Sequence, residues 1–511
     1  MKRTLGCALL AGLLVLRTGA ARAESKVLHV ASKAFTESVI LAEVVTQLER
    51  AAGVEADHRA GLGGTRLVWN ALLSGSIDVY PEYTGTLLDE VLSGAAHGQS
   101  APPPEAASAT WLKQTLGAHG VGMSAPLGFN NTYAIGLTQA RARALGISRV
   151  SELARHPELH FGLSNEFMSR RDGWPALRER YGLPQSDVQG MDHDLAYRAL
   201  HSGGIDATDL YTTDAEIRRY ELLPLIDDLA FFKRYDAVLL YRLDIEARFG
   251  SAAIQSLQKL EGRITAEQMI ALNARAKLDR VPEARVAADY LKQNLAITSD
   301  SRPRGAASMI AARVAEHLFL VSVSLLAAIA LAIPLGVLAA KKPRLGQLVL
   351  ALVGIVQTLP TLALLVFMIP LFGIGGLPAT VALFLYSLLP IVQNTHAGLS
   401  GIPSALRESA QALGLSARAR LRLIELPMAS PLILAGIKSA AVINVGTATL
   451  GALIGAGGLG QPIFTGIRLD NLSLILQGAI PASLLALSVQ GFFEIVQRLV
   501  VPRGLRLGAG P

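Results

Sequence analysis

Two stretches of the chain repeat one arrangement of tyrosine, threonine and carboxylate side chains. Residues 75–86 read GSIDVYPEYTGT and residues 203–214 read GGIDATDLYTTD. Each holds Gly-x-Ile-Asp and, five residues after the Asp, Tyr-Thr. The lead-ins also match, WNALLSGSID from Trp69 and YRALHSGGID from Tyr197, 128 residues apart. Phenol rings gathered at a cleft attract a cation that cannot donate hydrogen bonds. Quaternary ammonium is the typical case, at about 0.5–2 kcal/mol per contact. Tyr80, Tyr83 and Tyr211 are the rings expected to face such a cleft, joined by Tyr133 and Tyr197. Three or four contacts give a few kcal/mol, whereas micromolar binding needs about 8 kcal/mol. A ligand carboxylate held through charge-assisted bonds adds to them. The candidate holders are Lys33 in SKAFTES and Arg170 in EFMSRRDGW, with Asp209 and Glu82 helping to hold the cation. Plainer readings stand beside these: each Tyr suits core packing, Arg170 a surface pair with Asp172, Tyr197 a helix core, and Asn130 with Asn131 a turn.

The elements that must position these groups follow from periodicity. KVLHVASKAF reads as a strand entering a turn, and ESVILAEVVTQLERA as an amphipathic helix at 3.6 periodicity. Recurrent β-α units over 24–295 predict a mainly parallel sheet in each of two lobes. Ligands in such sheets bind beyond the carboxyl ends of the strands, where both copies of the repeat fall. The expected substrate-binding domain is 24–295, with lobe one at 24–125 and 236–295 and lobe two at 126–235. The hinge crossings are expected near Pro126 and residues 227–235.

Charge is unevenly spread. Residues 318–340, 345–406, 439–467 and 471–493 hold no Asp, Glu, Lys or Arg. A helix needs roughly 20 apolar residues to cross a bilayer. Five spans are expected in a transmembrane domain at 313–511: 317–340, 347–370, 377–399, 431–455 and 473–497. A polar linker at 296–312 precedes them. Lys2 and Arg3 before an apolar run, then ARA at 21–23, predict a secretory signal over 1–23, or a retained anchor helix. Either way residue 24 onward is exported. Lys341, Lys342, Arg344, Arg407, Arg418, Arg420, Arg422 and the tail Arg498, Arg503 and Arg506 then fall on the cytoplasmic side, and the outward loops hold only Arg468. That asymmetry agrees with the positive-inside rule. The net charge of +7 is thus a membrane signature, and nucleic acid is not an expected partner. The lone Cys7 excludes an intramolecular disulfide framework and a Cys-type zinc site. No metal site and no cofactor are expected. Gly-x-Ser-x-Gly, paired-His spacing and a phosphate-cradling Gly-x4-Gly-Lys-Ser/Thr are absent from the sequence, so it is read as a non-enzyme.

From Glu408 the chain reads ESAQALGLSARARLRLIELP: Glu408-x-Ala410, three residues, Gly414, nine residues, Ile424-x-Leu426-Pro427. This predicts a helix, loosely capped by Ser404 with Glu408, then a Gly turn and a second amphipathic helix on the inner membrane face. On composition alone a plain basic loop fits as well. The pattern resembles the EAA loop of permease subunits of ATP-binding-cassette importers, with Ser409 where Ala is usual. In that family the loop forms coupling helices seated in a groove of the ATPase subunit. The resemblance implies ATPase coupling for Glu408, Ala410, Gly414, Ile424, Leu426 and Pro427. It also implies cytoplasmic ABC ATPase partners, two in number, and a homodimer of this chain embedded in membrane lipid. QTLPTLALL, LLPIVQNTHAGL and IGAGGLGQPIFTGI resemble the osmoprotectant branch of these permeases. Pro360, Pro390 and the Gly run mark expected helix breaks, which are tolerated where backbone lines a cavity or is covered by protein.

SKAFTES, GSIDVYPEYTGT, GFNNTYA, FMSRRDG and GGIDATDLYTTD resemble, in order, the binding proteins for glycine betaine, choline and carnitine. The fold implied is a two-lobed α/β periplasmic-binding-protein fold (type II), followed by an all-α transmembrane permease of the ABC type I importer class. By resemblance Lys33, Phe35, Thr36, Tyr83, Asn131, Arg170, Tyr197, Asp209, Tyr211 and Thr212 line the cleft. Arg171 and Trp174 surround the Asp-Gly where the family often has Pro and an aliphatic residue, so the ligand stays open. Trp174 adds a ring or merely packs. The expectation is ATP-driven uptake of a quaternary ammonium compound (glycine betaine, choline or carnitine) at the cell inner membrane, with capture outside. Two alternatives remain: ergothioneine as ligand, which also carries trimethylammonium and carboxylate, or a ligand-sensing membrane receptor or gated channel.

Overall fold

Each copy of the repeated Gly-x-Ile-Asp pins the start of a neighbouring strand. Asp78 donates its N–H to the His29 carbonyl (2.8 Å), and its carboxylate accepts from the His29 N–H (2.9 Å). Asp206 does the same to His160, at 2.8 and 3.0 Å. An arginine completes each site, Arg248 on Asp78 and Arg141 on Asp206. The glycines before them, Gly75 and Gly203, have φ of 74° and 76°, just past the helices Thr65–Leu73 and His193–Ser202. Glycine takes that left-handed turn without a Cβ penalty.

This computed structural model describes residues 27–92, 109–170, 173–298, 306–469 and 471–502. The expected leader at 1–23, Arg171, part of the expected linker, and the tail residues Arg503 and Arg506 lie outside them. Among the described residues, ten strands occupy the N-terminal half: β1 Leu28–Ala31, β2 Ala56–Arg59, β3 Val79–Tyr83, β4 Val121–Met123, β5 Tyr133–Thr138, β6 Phe161–Ser164, β7 Val188–Met191, β8 Thr208–Tyr211, β9 Leu222–Pro224 and β10 Ala237–Arg242. Lobe one is built on the order β2-β1-β3-β10-β4. Lobe two repeats it: β7-β6, a bridge from Phe161 to Ala207, then β8-β5-β9. The sheets are mixed, not mainly parallel as expected. β10 runs antiparallel to β3 and β4, and β5 to β8 and β9. The cause is the crossing. β10 starts beside the end of β3, with Ala237 opposite Tyr83, so it must run back along it. The two crossing segments also bond to each other, Ala237 N–H to Phe129 carbonyl at 3.1 Å and Asn131 N–H to Tyr235 carbonyl at 3.0 Å.

The helix Thr36–Ala51 fills lobe one with Val39, Ile40, Leu41, Val44, Val45 and Leu48, all buried. Each such side chain contributes about 1.5–3 kcal/mol as an upper estimate. Glu49 is buried on the same helix, hydrogen-bonded by Ser256. Burial pushes its carboxyl up to about 7 from 4.5. Between those values the folded chain holds a proton that the unfolded chain has released. The stability that Glu49 contributes is therefore full below pH 4.5 and declines as pH rises through 7, by about 3 kcal/mol. Glu49→Gln is expected to remove that decline. Urea unfolding of the full chain at pH 5 and pH 8 checks this, followed by the fluorescence of Trp69, Trp111 and Trp174, which all lie in this half.

Among the described residues of the C-terminal half, four helices are long and apolar enough to cross a membrane, or five if one bent pair counts as a span. The first, Ala306–Lys341, begins inside the stretch expected as linker. The second expected span is broken: Pro343–Thr358 and Thr361–Phe372 meet at 100°. Pro360 lacks an N–H, and Leu359 before it is forced extended (φ −69°, ψ 133°). The expected break at Pro390 does not occur. Gly376–Ser400 runs through it, and Asn394 Nδ2 donates to the Pro390 carbonyl at 2.8 Å. Leu426–Thr447 and Leu472–Val500 complete the set. Asn444 Nδ2 joins three helices through Ser324 (3.1 Å) and Ser387 (2.8 Å), the polar bonding by which membrane helices associate. Lys341 at the far end of the first helix pairs with Glu425 (3.5 Å), so the 404–425 loop lies at that end. The two lobes sit at the other end.

Candidate functional site

A cavity of about 840 Å³ lies between the lobes. Lobe one lines it with Lys33, Phe35, Thr36, Glu37, Arg66, Asn273 and Lys277, and lobe two with Ser164, Glu166, His193, Tyr211 and Asp214. The C-terminal half forms an apolar floor of Leu362, Leu365, Val366, Ile369 and Ile454.

The repeat explains the rings. Tyr83 and Tyr211 hold equivalent places in the two copies, and both pack on Phe35, at centroid distances of 6.1 and 5.8 Å. Antiparallel register sets Tyr133 opposite Tyr211, with rings 4.9 Å apart. Phe35 and Tyr211 present the panel to the cavity, and Tyr83 and Tyr133 support it from behind.

The expected carboxylate holders are already engaged. Lys33 Nζ lies 2.6 Å from Glu82 and 5.1 and 5.5 Å from the Tyr83 and Phe35 rings. The cation that Glu82 holds is therefore Lys33. Buried Arg170 pairs with Glu90 (3.5 Å) and Glu166 (3.6 Å) and stacks on Tyr133 at 5.3 Å. Lys277 bridges the lobes, 2.6 Å from Asp194 and 2.9 Å from Glu216. Burial opposes its charge, yet Asp194, Glu216 and Asp214 outweigh it and raise its pKa. Arg66, exposed on the first turn of Thr65–Leu73, has no ion pair among the described residues.

Glu37 was not singled out from sequence and is the convergence point. One oxygen accepts from Tyr83 Oη (2.6 Å) and Asn131 Nδ2 (2.9 Å), the other from Thr213 Oγ1 (2.5 Å) and Asn273 Nδ2 (3.0 Å). Burial raises its carboxyl above the ordinary value, and the bonds from Thr213, Tyr83 and Asn273 offset this only in part. His193 was also missed. Its Nε2 lies 3.1 Å from Asp214 and its ring 4.5 Å from Tyr211. Burial opposes its charge, but Asp209 and Asp214 prevail and hold its proton well above the usual imidazole range.

Several expected site residues stand elsewhere. Tyr80, 0 % exposed, points from the opposite face of β3 to Tyr83, into a second core with Ile77 and Leu87. Side chains alternate along a strand, so the two tyrosines cannot share one face. Tyr197 is buried and donates to Asp214 (2.5 Å), supporting that carboxylate from behind. Asp209 is consumed by Ser164, accepting from its N–H and hydroxyl at 2.6 Å each. Thr212 bonds Thr132 through its N–H and hydroxyl and so fixes a crossing strand. Trp174 packs on Phe161 at 5.3 Å and is not a cage ring.

The 404–427 loop folds as the helices Ser404–Ala412 and Ala417–Arg420, the second continuing through Leu421–Glu425 into Leu426–Thr447. Glu408 is exposed, Ala410 buried, Ile424 half-buried in the wide turn, and Leu426 and Pro427 open the long helix. The expected Ser404 cap is not made, because the helix starts after Pro403 without a side-chain bond. Leu413, not foreseen, is 80 % exposed beside Gly414.

Residues 26–293 match the family model OpuAC, the substrate binding domain of ABC-type glycine betaine transport systems. Residues 332–504 match that of the binding-protein-dependent transport system inner membrane component. The glycine betaine/carnitine/choline transport system permease protein OpuCB of Bacillus subtilis (strain 168) is 41% identical over 194 residues, 38% of this chain and 89% of that protein. The osmoprotectant import permease protein OsmW of Salmonella typhimurium (strain LT2) is 41% identical over 205 residues, 39% of this chain and 95% of that one. A crystal structure of a glycine betaine/carnitine/choline ABC transporter shares 27% identity, covering 52% of this chain and 98% of its own, with a TM-score of 0.44.

Proposed function

The chain belongs to the OpuAC family of ABC-type glycine betaine substrate-binding domains, here fused to a binding-protein-dependent inner membrane permease, and from that premise we propose that it performs ATP-driven uptake of a quaternary ammonium compound. It is an osmoprotectant ABC importer chain and a membrane protein. The ligand is glycine betaine, choline or carnitine. The observation that carries this reading is the cavity itself, where ring faces and carboxylates converge above an apolar permease floor. A trimethylammonium group rests on Phe35 and Tyr211, with Glu37 supplying negative charge. Where the ligand carries a carboxylate, Arg66 takes it, since Lys33 and Arg170 are paired within the protein.

The binding half lies outside the membrane, exported by the leader. Two copies of the chain form the translocation path, and two cytoplasmic ABC ATPase subunits seat on the 407–427 loops. Ligand closes the lobes, and ATP binding by the partners pulls the loops and reorients the spans.

Calorimetric titration of the full chain in detergent with glycine betaine, choline, carnitine and ergothioneine tests the ligand. At least one of the first three is expected to bind. Tyr211→Ala weakens it by about 0.5–2 kcal/mol. Arg66→Ala weakens glycine betaine and carnitine by roughly tenfold and leaves choline unchanged. Heat with ergothioneine alone, or with none of the four, sinks this reading.

A further inference from the structure

The outward loops of the permease carry a single basic residue, Arg468, and its side chain leaves the permease for the binding half. Arg468 Nη1 lies 2.5 Å from Glu283 Oε1 and 3.4 Å from Thr36 Oγ1. The Arg468 and Glu283 side chains are each 10% exposed. Thr36 lines the ligand cavity and directly follows Phe35 of the ring panel. Both contacted residues open helices, Thr36–Ala51 and Glu283–Leu295. Helix starts are the positive ends of the backbone dipole, so a guanidinium settles there only because Glu283 offsets them.

The surrounding contacts fall on the same lobe. A Cβ on Gly373 would come within 2.6 Å of Ser76 Oγ, and one on Gly455 within 2.7 Å of Leu62 Cδ2. Both glycines have φ near 75° (74° and 77°), so the close approach is built into turns that other residues disfavour. Ser76, Leu62, Thr36 and Glu283 all belong to lobe one.

We infer that Arg468 is the docking contact that fastens lobe one to the permease, keeping the ligand cleft seated over the translocation path while lobe two moves. It is a positioning residue for transport and does not hold ligand. The inference rests on the importer reading above for its transport readout, and its docking readout is independent of that reading.

The test uses the full chain with Arg468→Glu, Glu283→Arg and the double exchange. In a Cys7→Ser, Ser76→Cys background, maleimide labelling without ligand reports whether the lobe is seated. Each single exchange is expected to accelerate labelling at least tenfold, and the double exchange to restore much of the protection. Restoration is incomplete because the exchanged arginine stands at a helix start. Uptake in proteoliposomes with the partner ATPases falls at least tenfold in each single exchange and recovers in the double, while ligand Kd stays within threefold. Unchanged labelling in the single exchanges, or a double exchange no better than the worse single, overturns the inference. If the parent binds none of the ligands and shows no uptake, the importer reading fails and labelling alone decides the docking contact.

Discussion

Gly414→Asp abolishes uptake while the purified chain binds ligand as before. Gly414 has φ of 74° and ends the helix Ser404–Ala412, its N–H reaching the Gln411 carbonyl at 3.0 Å and Leu415 N–H the Ala410 carbonyl at 3.1 Å. A Cβ there meets nothing within 4 Å. In the chain alone a side chain at this position therefore costs only left-handed strain, about 1–2 kcal/mol. That is small beside the roughly 5–15 kcal/mol by which domains are stable. The exposed Leu413 beside it is an apolar knob on a turn with free space around it. Such a knob fits a groove on a partner, and a carboxylate carried into that groove costs several kcal/mol unless paired, about a hundredfold or more in coupling. Leu413→Asp is expected to match it, and Gly414→Ala to fall between. Uptake and ligand-stimulated ATP hydrolysis with the partner ATPase, set against calorimetry on the same preparation, separate coupling from binding. Parental uptake in the Asp variants would remove the loop from the coupling role.

Glu37→Gln is expected to cost ligand affinity on a similar scale. Four donors converge on its two oxygens, the pattern of an ionised, acceptor-only carboxylate. An amide presents one acceptor and one donor group, so two of the four partners face an N–H. Unsatisfied buried groups cost about 1–3 kcal/mol each, and the charge that balances the ligand cation is lost as well. The loss is roughly 3 kcal/mol, or about a hundredfold in Kd. The pH dependence has a definite sign. Burial raises the Glu37 carboxyl, so in the parent the affinity for a cation falls on acidification, beginning above the ordinary carboxylate range. The Gln variant loses that dependence. His193, held protonated well above the usual imidazole range, does not titrate there. A Gln variant that binds with parental affinity and an unaltered pH profile would assign Glu37 to lobe architecture alone.

Some of this was set by short-range chemistry and was legible from residues. The glycine of Gly-x-Ile-Asp marks a helix end because glycine tolerates positive φ, whereas the strand its Asp pins, 49 or 46 residues away, shows only in the fold. The charge-free runs read as membrane helices because length and apolarity suffice. Pro360 marked a true break for the same local reason. Pro390 did not: Gly376–Ser400 runs through it, although the missing N–H leaves the Tyr386 carbonyl without its usual helical donor.

The site itself was only half visible. The fold brings the repeat's Tyr83 and Tyr211 together on Phe35, and sets Tyr80 apart, its face depending on which side of β3 is covered. The amino-acid sequence by itself determined the two-lobed repeat, the membrane half and the turn at Gly414, since each needs chemistry spanning only a few residues. The tertiary structure alone decided that Glu37 gathers Asn131 and Asn273, 94 and 236 residues away, that Lys33 and Arg170 spend their charge on the protein, and that Arg468 reaches Thr36. Burial and ion pairing are set by which distant segments meet, and no local pattern records that meeting.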